Sequence, residues 1–554
     1  MKLLKRLFGR ASSLAPNMGR ERGAAPTPSA HKTEQGIMVF ENTAEVIRAE
    51  RLLEEQGVPV KVMGPPPDLR SGCDMVLVFP LLMELAARTA LADGNLHPVR
   101  IVPLHDLLLE PVSLFHARRY GDFLMVRAAN MKMTTELPGG RIVNVSGGGC
   151  PDVPYLAALL VGSRLAPSGT PQLSPNRNGT AENGVEIKAA EAPRLRGRTL
   201  CSYSLQKAFE ETERLLKHPE EMPEPEVFEI CEGRQDFTLP TYRKRKEPRP
   251  WLICGTVPDA RFPLCRGRWR LNGEELVPLD GQAGGQSVPV RRGTPALIAA
   301  TLASVANMPQ HISADVWVEA LLVGDDGAGV GSRALYRKLA DDILPSGRMP
   351  EGVAGNTPGG LTFHYLFPDI DGHNRVLMAL EEWEKKPIAV ADAGFMYAAK
   401  MSGYAASYDL FTPDVGELAF LADEKAPHPF YTRGYILAED KDIPALVERA
   451  FLYGNCPRHM LVKGARDMLF RGKELVAQVE LPCVPAMEAM GGTGDFVAGM
   501  ATGLLASGYD LESAALTAAR CNRLVGAAAR PTPATQVAEL LPYIPDAMTA
   551  LPAE

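Results

Sequence analysis

A glycine-rich segment followed directly by an apolar helix pattern is the strongest candidate for chemistry in this chain. Gly491, Gly492, Thr493 and Gly494 let the backbone turn sharply and expose successive N–H groups ahead of the helix. Such donors, together with the helix dipole, form an anion hole that suits a transferring phosphoryl group. Asp495 lies in the first predicted turn, where its carboxylate can accept a proton from a substrate hydroxyl beside that phosphate.

Three further polar segments each follow a short apolar run that predicts a strand. They contain, in chain order, Asp392, then Thr412 and Glu417, then Lys463 and Gly464. Lys463 offers a cation for phosphate oxygens, and Glu417 offers a carboxylate for Mg²⁺, directly or through water. Because the carboxyl ends of parallel strands face the ligand crevice of an open sheet, we expect these segments to share a cleft with Asp495.

The elements that must position these residues alternate between strands and helices from about Val316 onward. The predicted strands are 317–323, 361–367, 388–391, 410–412 and 460–463. The predicted helices are 332–344, 375–385, 396–401, 417–421, 445–452 and 496–506. This alternation is typical of a parallel sheet and indicates the α/β fold class.

Taken in order, the four polar segments resemble the ribokinase-like superfamily. They are most similar to its carbohydrate-kinase-related branch of ADP/ATP-dependent NAD(P)H-hydrate dehydratases, over residues 316–530. The resemblance implies a three-layer domain with a mainly parallel sheet that binds ATP or ADP, with Mg²⁺, at the strand ends. It further implies phosphorylation of the hydroxyl of hydrated NADH or NADPH, followed by elimination of phosphate. A kinase for another small hydroxyl compound, such as a sugar or a vitamin alcohol, is the alternative enzyme.

The resemblance also implies a role for each matching residue. Asp495 corresponds to the family's catalytic base. The residues that correspond to its anion hole are Gly492, Thr493 and Gly494. The residues that correspond to its phosphate, Mg²⁺ and nucleotide contacts are Thr412, Glu417, Lys463 and Gly464.

Several positions depart from the family's pattern. Asp414 stands where the family has a histidine, and Asn522 and Arg523 stand where it has a late alanine-glycine-aspartate segment. Its glycine-rich opening is replaced by residues 324–332, a strand-to-helix turn that can cradle a phosphate or simply pack against the sheet. These departures leave the substrate open, and a catalytically silent member is a further alternative.

The loop after the predicted strand 361–367 carries another group of polar side chains. Asp369 and Asp371 alternate onto one face of an extended chain, and His373 follows two residues later. Together they can hold a divalent cation or position a substrate hydroxyl, so we assign them, with Asp392, to the substrate side. The alternative is an ordinary polar loop whose aspartate caps the next helix.

The N-terminal part predicts a small βαββ unit around a helix at residues 43–56. It resembles sulfur- or selenium-carrier-like domains through that helix and the segment around Cys73. The resemblance implies that Cys73 carries the chalcogen, and Arg70 beside it favours the thiolate. Cys150, in a glycine-rich loop, is a candidate second thiol. The alternatives are a buried thiol and a plain turn. A non-catalytic nucleotide-binding or carrier protein that uses Cys73 is therefore the alternative of another class.

Composition divides the 554 residues into five segments. Residues 1–35 are a basic leader that we expect to be disordered, and residues 36–165 form the carrier-like α/β domain. Residues 166–197, rich in Pro, Ser, Gly and Asn, are a linker. Residues 198–310 are a central module without an assigned role, and residues 311–554 form the ribokinase-like domain.

Charge, hydropathy and cysteine usage exclude several classes of protein. The net charge of −7 gives no general attraction to nucleic acid. No apolar stretch combines sufficient length with an absence of charge, so no membrane span is expected. Nine scattered cysteines without a C-x-x-C pair favour a reducing cytoplasm over a disulfide framework or a structural zinc site. The expected partners are a nucleotide and a small hydroxyl substrate, and homo-oligomerisation stays open.

Overall fold

The computed structural model describes residues 34–550, except for 67–68, 70–72, 105–110, 166–198, 228, 234–249, 280–284, 310–312, 314–315, 347–358 and 433–439. The predicted linker 166–197, and all but the last two residues of the predicted leader, lie outside the described residues. Among the helices in the described ranges, none has the length and apolar character needed to cross a membrane.

The first unit is a small antiparallel sheet with two helices. Its elements are β1 (Gln35–Val39), α1 (Thr43–Glu55), β2 (Lys61–Met63), β3 (Val76–Pro80), α2 (Glu84–Asp93) and β4 (Arg100–Pro103). The strands lie in the order β2–β3–β1–β4. The side chain of Asn42 caps α1 by accepting a hydrogen bond from Glu45 N at 3.1 Å. The predicted βαββ order is present, and β4 adds a fourth strand.

A second, mostly antiparallel sheet follows, where the sequence predicted one unit over residues 36–165. Its elements are β5 (Phe115–Tyr120), β6 (Phe123–Ala128), β7 (Met131–Glu136), β8 (Arg141–Ser146), α3 (Val153–Leu160), α4 (Leu200–Lys217) and β9 (Pro225–Glu226). The strand order is β8–β7–β6–β5–β9. Leu205 and Phe209 of α4 share a buried cluster with Val126 of β6, so the start of the expected central module belongs to this unit.

The C-terminal unit is built on the largest sheet. Its strands and those of a small neighbouring sheet are β10 (Trp251–Val257), β11 (Cys265–Gly267), β12 (Trp269–Asn272), β13 (Glu275–Pro278), β14 (Val288–Pro289), β15 (Val318–Gly324), β16 (Gly360–His364), β17 (Ile388–Asp392), β18 (Leu410–Phe411), β19 (His459–Val462), β20 (Asp467–Arg471) and β21 (Glu474–Val479). The large sheet has the order β11–β15–β10–β16–β17–β18–β19–β20–β21, and β12–β14 form the small sheet. The strands from β15 to β19 are parallel, whereas β11, β20 and β21 run antiparallel at the edges.

Helices cover both faces of the large sheet. They are α5 (Thr294–Ala306), α6 (Val330–Arg337), α7 (Leu344–Ser346), α8 (Ile370–Glu381), α9 (Gly394–Met401), α10 (Val415–Leu421), α11 (Ile443–Leu452), α12 (Thr493–Ala506), α13 (Leu511–Ala529) and α14 (Ile544–Thr549). A π-helical turn, Lys338–Ile343, joins α6 to α7. Alternate strand residues face two separate cores: Ile253 packs with α5, α12 and α13, and Leu252 packs with α6 and α8–α11. The result is the three-layer α/β domain that the sequence predicted.

Strand β10 extends this domain beyond its expected boundary at residue 311. It pairs in parallel with both β15 and β16 and is therefore central to the sheet. Helix α5 packs on α12, and the hydroxyl of Thr301 donates to the carbonyl oxygen of Gly499 at 2.9 Å. We propose that the domain starts near residue 250. The β12–β14 sheet separates β10 from β15 in the chain, which hides the strand–helix alternation from a sequence pattern.

Candidate active site

Polar side chains meet at the carboxyl ends of neighbouring parallel strands. His364 ends β16 and lies opposite Asp392, the last residue of β17. Lys463 follows β19, and its Nζ lies 2.8 Å from Oδ1 and 3.0 Å from Oδ2 of Asp392. Ligands of open parallel sheets bind at this edge. Two of the segments that the sequence placed at strand ends are therefore in direct contact.

The glycine-rich segment brings Asp495 to the same edge. Gly492 precedes α12 with a φ of +95°, a left-handed conformation that is free of strain only for glycine. A Cβ built on Gly494 would lie 3.4 Å from Lys463 Nζ, so the ammonium sits beside the first turn of α12. The N–H groups of that turn have no acceptor within the helix. Together they form a positively polarised surface next to a carboxylate.

Asp495 is held as an ionised carboxylate. Its Oδ2 accepts a hydrogen bond from the backbone N–H of Gly293 at 2.6 Å, and its Oδ1 lies 3.2 Å from Nε2 of His364. The other ring nitrogen of His364 lies 3.2 Å from the hydroxyl of Thr294. Burial alone would raise the pKa of this carboxyl, but His364, then Arg292 and the Gly293 N–H, lower it to about 2.

Lys463 keeps its proton in the same surroundings. Burial would lower the pKa of its ammonium, but the neighbouring carboxyl groups raise it above its usual value. The largest of these contributions comes from Asp392, which forms an ion pair with the ammonium, and Asp495 adds to it. Lys463 is therefore a fixed positive charge that is paired with Asp392 and lies beside the first turn of α12.

The predicted Mg²⁺ ligand, Glu417, is engaged in a helix cap. Its Oε2 accepts a hydrogen bond from Asp414 N, and Asp414 Oδ1 accepts one from Glu417 N, both at 2.8 Å. Burial, and then the charge of Asp414, raise the pKa of Glu417 well above its usual value, which favours the neutral acid. This residue does not fit the role of a Mg²⁺ ligand. The hydroxyl of Thr412 is buried and has no hydrogen-bond partner among the described residues.

His364, Asp392 and Asp495 bring three possible metal ligands within 4.8 Å of one another. Their oxygen atoms already bind internal donors, because Asp392 pairs with the ammonium of Lys463 and Asp495 with the N–H of Gly293. A cation here would meet the positive charge of Lys463 at close range. His364, Asp392 and Asp495 therefore form a network of hydrogen bonds and ion pairs with these donors rather than a metal site.

Gly464 belongs to a loop that Arg523 holds in place. The guanidinium of Arg523 donates to Asp467 Oδ2 at 2.9 Å, and to the carbonyl oxygens of Gly464 at 3.2 Å and Ala465 at 2.9 Å. Asp467 also accepts a hydrogen bond from Gly464 N at 3.2 Å. The residue that departs from the family pattern at position 523 is thus a buried clamp on the loop that follows Lys463.

A glycine loop of the second sheet, residues 146–152, covers this edge of the C-terminal sheet. A Cβ on Gly149 would overlap Oε1 of Glu417, so a larger residue does not fit there. Tyr365 and Arg292 donate hydrogen bonds to backbone carbonyls of the loop at 2.9 and 3.1 Å. The loop is therefore fastened to the C-terminal domain by both close packing and hydrogen bonds.

This loop shields the candidate catalytic groups from solvent. Asp495 is 5% exposed, Glu417 is 3% exposed and Asp392 is 1% exposed. In this arrangement these three carboxyl groups are closed to a substrate, and the loop lies directly against Glu417.

The predicted group of Asp369, Asp371 and His373 does not assemble, and its assignment to the substrate side is wrong. Asp369 caps α8 through a backbone N–H at 2.9 Å and also accepts from Arg333 at 2.8 Å. Asp371 is exposed, whereas His373 points into the core with Nε2 2.8 Å from the hydroxyl of Tyr408. Burial lowers the pKa of His373 to about 4. The helix starts one residue after Asp369, so helical rather than extended spacing spreads the side chains apart.

The predicted carrier thiol, Cys73, is not accessible in this arrangement. Cys73 is buried, and its Sγ lies 3.4 Å from both Thr43 Oγ1 and Met75 N. Burial raises the pKa of Cys73 to about 11 and that of Cys150 well above its usual value. Both thiols therefore stay protonated at neutral pH. Arg70, which was expected to favour the thiolate, lies outside the described residues.

The opening loop, residues 324–332, is filled by its own carboxylate. Asp325 accepts hydrogen bonds from the N–H groups of Gly327 and Gly329 at 2.9 and 3.0 Å. Its other oxygen accepts from the N–H and the hydroxyl of Ser332 at 2.8 and 2.7 Å. The carboxylate occupies the position of an anion, so these groups do not offer a phosphate cradle.

Sequence reasoning missed His364, Arg292 and Gly293 as site residues. His364 is a polar residue within an apolar predicted strand, which was the available signal. Arg292 and Gly293 directly precede an apolar helix, but they lie in the segment to which no role was assigned. The packing of α5 on α12 brings Arg292 and Gly293 to Asp495, and the parallel pairing of β16 with β17 places His364 opposite Asp392.

Three families match separate parts of the chain. Residues 371–546 match the family described as NAD(P)H-hydrate dehydratase. Residues 35–103 match the family described as Se/S carrier protein-like, and residues 114–181 match a domain family of unknown function. The last two matches correspond to the first and the second sheet.

Similar whole proteins are also known. The uncharacterized protein MJ1337 of Methanocaldococcus jannaschii is 35% identical over 235 residues, which cover 42% of this chain and 91% of that protein. The uncharacterized protein MJ0011 of the same organism is 36% identical over 173 residues, 31% of this chain and 77% of that protein. A ribokinase-like superfamily protein of Enterococcus faecalis aligns with a TM-score of 0.34 and 16% identity, over 58% of this chain and 92% of that chain. The chain therefore belongs to the family of the uncharacterized protein MJ1337.

Proposed function

We propose that the C-terminal domain catalyses nucleotide-dependent phosphoryl transfer to a hydroxyl. The leading reaction is that of the ADP/ATP-dependent NAD(P)H-hydrate dehydratases, in which phosphorylation is followed by loss of phosphate. One observation carries the proposal: the ionised carboxylate of Asp495 lies beside both the first turn of α12 and the ammonium of Lys463. The family match over residues 371–546 includes all of these groups.

In this reaction Asp495 takes the proton of the substrate hydroxyl while the hydroxyl oxygen bonds to the terminal phosphorus of the nucleotide. The bond from that phosphorus to the bridging oxygen breaks, and the nucleotide leaves with one phosphate fewer. The N–H groups of the first turn of α12 and the ammonium of Lys463 then stabilise the charge on the transferring group. A pKa of about 2 makes the carboxylate a weak base in the closed site. We infer that the substrate hydroxyl replaces one of the two groups that now donate to Asp495, His364 or Gly293. The loss of that donor raises the basicity of the Asp495 carboxylate.

Access of the substrate requires displacement of residues 146–152. The N-terminal half of the chain would then act as a cover for a site that lies in the C-terminal half. A closed site of this kind excludes water, which protects a nucleotide from unproductive hydrolysis.

The test is nucleotide consumption and phosphate release by the full chain with ATP or ADP, in the presence and absence of hydrated NADH or NADPH. We expect phosphate release that depends on the hydrated dinucleotide and is accompanied by recovery of NADH or NADPH. If a folded protein consumes neither nucleotide with these substrates or with a panel of sugars and vitamin alcohols, the proposal fails.

The second candidate is a kinase for a small hydroxyl compound, which would leave a stable phosphorylated product. The observation that favours it is a cavity of about 190 Å³ beside Gly491, far smaller than a dinucleotide requires. Analysis of the product by phosphorus NMR separates the two reactions, because only the dehydratase releases free phosphate.

A further inference from the structure

The cavity beside Gly491 lies between the second sheet and the C-terminal domain. Its walls come from the end of β8, from α3, from the loop after β10 and from the segment around β14. Most of the wall is apolar and consists of Val145, Pro154, Ala157, Ala158, Val161, Val257, Pro258, Val288 and Pro289. The cavity thus exists only where the two units meet.

Two of the polar groups in the wall are satisfied by internal contacts. The Asn144 side chain donates to two backbone carbonyls at 2.9 and 3.0 Å and accepts from Gly491 N at 3.0 Å. The Gln536 amide donates to two carbonyl oxygens at 3.0 and 2.9 Å. The acidic residue of the wall, Asp259, accepts from Arg261 N at 3.0 Å, and the Arg261 guanidinium lies 3.5 Å away.

Two guanidinium groups in the wall have donors to spare. Arg292 is 6% exposed and binds three acceptors through its terminal nitrogens, but its Nε is buried without a partner among the described residues. The neighbouring Arg291 is exposed, and no described residue accepts a hydrogen bond from it. The buried Nε of Arg292 is not accessible from the cavity, so Arg292 contributes positive charge beside it, whereas Arg291 offers exposed donors. This part of the wall therefore favours an anionic acceptor.

We propose that this cavity binds a small organic anion whose carboxylate or phosphate pairs with Arg291, beside the positive charge of Arg292, and whose apolar body fills the rest. A cavity of about 150 Å³ holds a benzene-sized molecule, so about 190 Å³ suits a single ring or a branched chain with one anionic group. Gly491 lines the cavity and directly precedes the α12 anion hole. If the second candidate reaction, the kinase for a small hydroxyl compound, is correct, the bound anion is its hydroxyl-bearing substrate; this assignment alone rests on that function.

The experiment measures direct binding to the full chain by calorimetry, without nucleotide. The probes share one ring: phenyl phosphate, benzoate and the uncharged benzyl alcohol. We expect saturable binding of at least one anion and at least tenfold weaker binding of benzyl alcohol. The anion that binds more tightly shows whether the site prefers a carboxylate or a phosphate. Arg291→Gln should weaken that anion about tenfold to a hundredfold, since it removes charge-assisted hydrogen bonds. Ala158→Phe, which fills the cavity, should weaken it similarly.

Each variant has a matched control outside the cavity. Arg51→Gln removes an exposed arginine of α1, and Leu159→Phe enlarges the exposed neighbour of Ala158; both should bind as the wild type does. The proposal is overturned if neither anion binds to the folded wild type, if benzyl alcohol binds equally well, or if Arg291→Gln and Ala158→Phe match their controls. Anion binding without any nucleotide turnover would refute the proposed function and leave the site standing. Nucleotide turnover without anion binding would refute the anion site and leave the proposed function standing.

Discussion

Nε2 of His364 lies 3.2 Å from Oδ1 of Asp495, although 131 residues separate them in the chain. The contact joins the carboxyl end of β16 to the first turn of α12. It also links a residue that no motif revealed to the residue that the strongest motif predicted. His364 is anchored on its other side by Thr294, so the ring is a fixed donor to the candidate base.

Asp495→Asn should lower phosphoryl transfer about 10²–10⁴-fold, since the amide cannot accept the hydroxyl proton. Phosphate release measured at saturating nucleotide checks this. Asp371→Asn is the matched control, because Asp371 is an exposed carboxylate in the first turn of α8. Equal activity of Asp495→Asn and the wild type would remove Asp495 from the mechanism.

His364→Gln should move the acid limb of the pH–rate profile to higher pH. The hydrogen bond and charge of His364 are the largest of the effects that lower the pKa of Asp495, so without the imidazole this pKa rises from about 2. The measurement is kcat/KM as a function of pH. A limb at the wild-type position, with activity merely reduced, would show that His364 supports the fold but not the base.

Gly149→Ala should loosen the cover over the site, because the new Cβ overlaps Oε1 of Glu417. We expect a loss of about 1–3 kcal/mol in the free energy of unfolding. Hydrogen exchange at residues 146–152 should become faster. The double variant Gly149→Ala/Glu417→Ala removes the overlapping atom, so the alanine should cost little more than Glu417→Ala does alone. Additive losses in the double variant would contradict this explanation.

Arg523→Met should destabilise the chain by about 3–5 kcal/mol, because it leaves Asp467 buried without its cation. The two side chains are 8% and 6% exposed, and burial already raises the pKa of Asp467. Urea unfolding measures the loss. Arg530→Met is the control: its pair with Glu232 is largely exposed and should be worth less than about 1 kcal/mol. Similar losses for both variants would argue against a clamp.

His373 should make stability depend on pH between about 4 and 6.5. Its pKa falls from 6.5 to about 4 on burial, so the unfolded chain binds more protons in this window and stability rises with pH. The full difference is worth about 3 kcal/mol. His373→Phe should flatten this part of the curve of unfolding free energy against pH, whereas His116→Phe, at an exposed position, should not. An unchanged slope in His373→Phe would rule out this residue as its source.

Local features of the sequence determined the parts of the fold and site that depend on few neighbouring residues. The glycines before Asp495 and the apolar helix after them predict their own geometry, because left-handed φ values and helical periodicity are properties of a short segment. The same holds for the strand ends at Asp392 and Lys463. Alternating strands and helices then predict a parallel sheet whose strand ends share one edge.

Tertiary structure alone decided which groups surround that edge. The packing of α5 on α12 brings Arg292 and Gly293, which precede α5, to Asp495, and such long-range packing has no periodic signal in the chain. Burial raises the pKa of Cys73, and desolvation of this kind depends on the residues that pack around the thiol. Asp369 caps a helix instead of lining a loop, because the position of a helix boundary also depends on its surroundings. The loop over this edge of the sheet, residues 146–152, belongs to a different unit of the chain. The sequence of the C-terminal segment alone therefore does not predict it.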